Sequence, residues 1–139
     1  MPQIFVQNRQ RKIALDADEL ERFARRVLPL CAGEEGAGLT KLEEINVLLI
    51  SDRRMADLHQ RFMRISGSTD VITFQHGEIC ISADTAQRQA GTEQTSLGYE
   101  LRLYLVHGLL HLHGFDDLEA DARRRMESVQ ERIVKLAAD

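Results

Sequence analysis

From Leu97 to Leu112 the chain is apolar on almost every side of a helical projection, with Leu97, Leu101, Leu103, Leu105, Val106, Leu109, Leu110 and Leu112 spread around it. A surface helix keeps its apolar residues in one stripe, whereas a helix apolar nearly all round belongs in the middle of a domain. The pattern predicts such a helix from about Glu93 to Leu112, with the other elements arranged around it. Two histidines, His107 and His111, interrupt its second half. At 3.6 residues per turn they lie one turn apart on the same face.

Two imidazoles so placed can grip one ion. Gly114, three residues after His111, can take the left-handed conformation that ends a helix and reverses the chain. That reversal would return a third ligand to the same place, and Asp117 stands six residues after His111. Three protein ligands leave a fourth position open, the arrangement of a catalytic rather than a structural zinc site. One Zn²⁺ or another divalent ion per chain is therefore expected at His107, His111 and Asp117. Asp116 is the rival third ligand, with a turn or helix-capping role as its alternative. A lone pair of histidines four apart often marks only hydrogen-bonded core residues; the full H-x3-H-x2-G-x2-D spacing is far more specific. His113 points away from the pair on a helix and is expected at the solvent or the helix end. Glu100 and Tyr104 share the histidine face, and Glu100 reads equally as a carboxylate orienting an imidazole or as an exposed charge.

The remaining chain reads as one α+β domain over residues 1–139: about four strands in a small sheet, packed with helices around the buried central one. Ile4–Gln7 is a short strand. Asp16 can cap a helix with Leu20, Phe23, Ala24, Val27 and Leu28 on its inner side. Gly33, Gly36 and Gly38 form a flexible connector, with no GK[ST] to make it a phosphate cradle. Ile45–Ile50 is a β-rich run, after which Ser51 or Asp52 caps a helix that turns Met55, Leu58, His59 and Phe62 inward. His59 is read there as a packed histidine. Val71–Phe74 and Glu78–Ser82 form an antiparallel pair across His76-Gly77. The last helix, after Leu118, places Ala122, Met126, Val129, Ile133 and Leu136 in a packing stripe.

No run approaches the roughly 20 apolar residues of a membrane span. The start, Met1-Pro-Gln-Ile-Phe-Val-Gln, lacks the basic and apolar regions of a signal peptide, which points to a cytoplasmic protein. Cys31 and Cys80 form no CxxC pair and read as reduced thiols, Cys80 within a strand. The net charge of −4 and pI near 5.7 do not announce a nucleic-acid binder, which is typically basic on one face. Local groups soften this: Arg9 and Arg11; Arg22, Arg25 and Arg26; Arg53, Arg54, Arg61 and Arg64; Arg123 to Arg125. Most read as solvated helix faces.

His107 to Asp116 matches the signature H-G-x-L-H-L-x-G-[FY]-D of the YbeY family of bacterial metal-dependent endoribonucleases, and the chain resembles that family. Thr69-Asp-Val-Ile-Thr-Phe74 is similar to the family's T-[DN]-V-[LI]-[ST]-F strand, and Ile4-Phe-Val-Gln-Asn-Arg9 to its first strand. The family's usual third histidine is Asp117 here, which reads as an exchange of ligand, since carboxylate oxygen also binds zinc.

The resemblance implies cleavage of single-stranded RNA in ribosomal RNA maturation, chiefly of the small subunit, and in ribosome quality control. It implies ribosomal RNA, small-subunit proteins and an assembly GTPase as partners. Arg64 resembles the family arginine that neutralises charge on the scissile phosphate, although the loop to Thr69 is one residue shorter than usual; Arg61 is the alternative. Metal-activated water and the RNA 2′-hydroxyl both remain open as nucleophile. Two other classes stand beside this one: a metal-dependent hydrolase of another substrate, and a non-catalytic assembly factor with a structural metal. The spacing also resembles zinc peptidases of the HExxHxxGxx[HD] type, but Gly108 stands where their glutamate general base would be.

Overall fold

The computed structural model describes residues 1–63 and 69–138. Among these residues, four strands make one mixed sheet: β1 (Gln3–Asn8), β2 (Glu44–Ile50), β3 (Val71–Phe74) and β4 (Glu78–Ser82), in the spatial order β1-β2-β4-β3. β1 and β4 both run parallel to β2, pairing Ile4 with Ile45 and Val47 with Ile79. β3 closes the sheet antiparallel to β4 as the expected hairpin, with Phe74 opposite Glu78. The parallel β1–β2 pair needs a long crossover, which α1 (Ala17–Ala32) provides.

Alternation along the strands divides the core in two. Ile4, Val6, Ile45, Val47, Leu49, Ile79 and Ile81 face α1, α4 (Leu97–His113) and α5 (Ala120–Leu136). Ile50, Ile72 and Cys80 face the other way and pack with Met55 of α2 (Asp52–Met63). Asp16 caps α1 by accepting the Glu19 N–H at 3.0 Å. Of the two candidate caps for α2, Ser51 accepts the Arg54 N–H at 3.2 Å. Met55 is fully buried, whereas Phe62 is 58% exposed, packing edge-on to Phe74, and His59 is half-buried. The expected inward stripe of α2 therefore fades toward its end.

The long helix begins later than its pattern implies. α3 (Ala83–Glu93) precedes it and ends at Gln94, which takes the left-handed conformation at φ 57°. Ser96 then caps α4 by accepting the Tyr99 N–H. The apolar character of α4 does translate into burial: Leu105, Val106, Leu109 and Leu110 are fully enclosed, each worth roughly 1.5–3 kcal/mol of hydrophobic stabilisation. Among α5 residues Met126, Val129, Ile133 and Val134 are buried but Leu136 is 64% exposed. An α-helical stripe drifts off strict four-and-three spacing, so Ala137 takes the inward place expected of Leu136.

The Gly33–Gly38 segment is no loose connector. A Cβ on Gly36 or Gly38 would collide with backbone atoms of His113 and Leu112, the last residues of α4. The Gly38 N–H donates to the His113 carbonyl, and a 3₁₀ turn (Leu39–Lys41) follows. His113 accordingly takes the second of its two expected places, the helix end, and is buried there. Its Nδ1 accepts the Leu39 N–H at 3.3 Å while Nε2 donates to the Glu34 carbonyl at 2.9 Å. No helix is long and apolar enough to cross a membrane among the described residues.

Candidate metal centre

The last two turns of α4 and the segment after it form the site. His107 and His111 are set by helical spacing, with their Nε2 atoms 3.1 Å apart and their rings nearly perpendicular at 84°. Gly114, at φ 124°, ends the helix; its N–H and that of Phe115 both reach back to the Leu110 carbonyl. That reversal is available to glycine at little cost. It carries Asp117 back over the histidines, its Oδ2 lying 3.7 Å from His107 Nε2 and 3.6 Å from His111 Nε2.

These separations suit one ion. Ligands bound tetrahedrally at about 2.0–2.1 Å stand roughly 3.3 Å apart. The 3.1, 3.6 and 3.7 Å edges of this triangle bracket that value. The three side chains are 28%, 22% and 40% exposed, so the triangle is reachable from solvent on one side. The neighbouring aspartate is differently used: Asp116 is exposed, and its Oδ1 accepts the Leu118 N–H at 3.2 Å as a turn residue.

Each ring is oriented from behind. His107 Nδ1 lies 2.9 Å from Gln130 Oε1, and His111 Nδ1 lies 3.0 Å from the Phe115 carbonyl oxygen. Both partners accept hydrogen bonds, so each Nδ1 carries the proton and each Nε2 lone pair is left facing the other ring and Asp117. Burial holds the His107 imidazole below its ordinary pKa and the adjacent His111 lowers it further, against raising influences from Gln130, Asp70 and Asp117. A neutral ring is the form that binds metal.

Glu100 has neither of the roles expected for it. It is buried, 4% exposed, and its Oε2 accepts the Thr95 hydroxyl at 2.7 Å beside the start of α4. Gln130 was not singled out from the sequence, yet a signal existed. It sits four residues after Met126 and four before Val134, both buried, as a polar residue on the inner stripe of α5. Arg64 lies outside the described residues. Arg61 is exposed and pairs with Asp57 at 3.6 Å, one turn earlier in α2.

Gly108 is fixed by packing. A Cβ there would stand 2.7 Å from Cγ2 and 3.0 Å from Cδ1 of Ile79, which is itself fully buried in β4. A side chain there, such as the glutamate of the peptidase motif, would therefore force Ile79 to shift.

A family model described as Endoribonuclease YbeY matches residues 5–138. The Endoribonuclease YbeY of Frankia alni is 31% identical over 151 aligned residues, covering 94% of this chain and 80% of the relative. That of Thermobifida fusca is 32% identical, covering 88% of this chain and 86% of its own length. In three dimensions the chain resembles a Thermotoga maritima protein of known solution structure, with TM-score 0.68 and 23% identity over 96% of this chain and 88% of that one. That likeness is one of fold.

Proposed function

The chain belongs to the YbeY family of endoribonucleases, and we propose that it cleaves single-stranded RNA during ribosomal RNA maturation, chiefly of the small subunit, with one divalent ion at His107, His111 and Asp117. Two imidazoles and a carboxylate with a fourth position open are a ligand set known for catalytic Zn²⁺, the ion we assign here. The observation that carries this reading is the convergence of three ligand atoms within 4.8 Å of one another on a solvent-facing side of α4.

When bound, such an ion supplies Lewis-acid polarisation of the phosphodiester and activates the attacking oxygen, from water or from the RNA 2′-hydroxyl. The chain does the rest. His107 and His111 present their Nε2 atoms as ligands, with the rings held in orientation by Gln130 and the Phe115 carbonyl. Asp117 contributes the site's negative charge. Arg64, or Arg61 in its place, neutralises charge gathering on the phosphate. Cytoplasmic location, ribosomal RNA, small-subunit proteins and an assembly GTPase complete the proposal.

The test is cleavage of structured ribosomal RNA by metal-loaded protein, by chelator-treated protein and by Arg64→Glu. Cleavage that needs both metal and arginine supports the reading. Cleavage indifferent to chelation overturns the catalytic role of the ion, and no cleavage by the metal-loaded protein overturns the reading in favour of a non-catalytic assembly factor whose metal is structural.

A further inference from the structure

We infer that Gln130 is a positioning residue of the metal centre: a neutral acceptor on α5 that locks His107 as an Nε2 donor. This rests on the metal reading above, and extends it to a residue outside the ligand set.

An unconstrained neutral imidazole carries its proton on either ring nitrogen. A metal ligand must keep the coordinating nitrogen bare, and the hydrogen bond made by the other nitrogen decides which one that is. For His111 the decision is made by backbone, through the Phe115 carbonyl that the Gly114 reversal brings into place. For His107 it is made by a side chain, since its Nδ1 faces Gln130 Oε1 at 2.9 Å. The two rings are therefore oriented by independent parts of the fold, and only His107 depends on a replaceable group.

The setting of Gln130 argues against a solvated surface residue whose contact is incidental. It is half-buried between Met126 and Val134 on the face that α5 turns to the core. Apolar packing alone would be served better there by leucine or methionine, because an amide taken out of water costs free energy unless it is hydrogen-bonded. Its hydrogen bond is to the ligand ring. Both acceptors behind the histidines are neutral, so the fold fixes the tautomer without adding a second negative charge to that of Asp117.

Three variants separate the possibilities: Gln130→Met, which keeps length and packing but accepts no hydrogen bond; Gln130→Glu, which keeps an acceptor; and His111→Ala. Zn²⁺ affinity is measured by competition with a coloured chelator. The proton position on His107 is read in chelator-treated protein from long-range ¹⁵N–¹H spectra. Gln130→Met is expected to bind Zn²⁺ about 10–100-fold more weakly and to lose the single Nδ1–H form. Gln130→Glu is expected to keep that form and bind at least as tightly as the unmutated protein. Unchanged affinity and tautomer in Gln130→Met, or equal weakening in both Gln130 variants, overturns the inference. Full Zn²⁺ affinity in His111→Ala instead overturns the metal reading itself.

Discussion

The Nε2 atoms of His107 and His111 stand 3.1 Å apart while both Nδ1 atoms are held by acceptor oxygens on the far sides of the rings. Two lone pairs are thus aimed at one point, an arrangement that a shared cation relieves. His111→Ala should leave the protein with little metal by elemental analysis. The fold should survive, with unfolding free energy within about 1 kcal/mol of the parent, because the ring is not part of the enclosed core. Full metal content in this variant would remove His111 from the ligand set.

The two adjacent aspartates should behave oppositely. Asp117→Ala is expected to lose most of its metal; Asp116→Ala should keep it, giving up only the turn bond to Leu118. Asp117→His should keep the metal and raise the formal charge of the centre by one. A more positive centre acidifies what it holds more strongly, so the alkaline-going rise of the pH–rate profile should move to lower pH. Metal titration and pH profiles of the three variants check this. Metal loss in Asp116→Ala alone would mean the other carboxylate is the ligand.

Arg64→Glu should cut RNA cleavage sharply and leave metal content unchanged, since the arginine is assigned to phosphate and not to the ion. Arg61→Glu is the control. Parent-like cleavage by Arg64→Glu together with a dead Arg61→Glu would transfer the role to Arg61, despite its present pairing with Asp57.

Gly108→Ala brings a methyl group into Ile79, so overpacking costing about 1–3 kcal/mol should outweigh a helix-propensity gain of up to about 1 kcal/mol. Urea unfolding should show net destabilisation, and the cost should shrink or vanish in an Ile79→Ala background, where the colliding atoms are gone. Equal effects in both backgrounds would show that contact with Ile79 is not what holds the glycine in place.

The sequence by itself determined what depends on spacing along the chain. Apolar residues on every side of residues 97–112 required an enclosed helix. The four-residue interval put His107 and His111 on one face, and the glycine after them allowed the chain to return. Alternation and turn residues gave the β3–β4 hairpin. Only the tertiary structure decided what depends on neighbours remote in sequence. It closed His113 beneath the Gly36–Leu39 backbone, set Gln130 behind His107 from another helix, and started the long helix only after the break at Gln94. It also turned Asp117 toward the histidines and left Asp116 outside. Periodicity shows which side of an element is buried. Which polar group waits on the far side is set by packing between elements, and no local spacing carries that information.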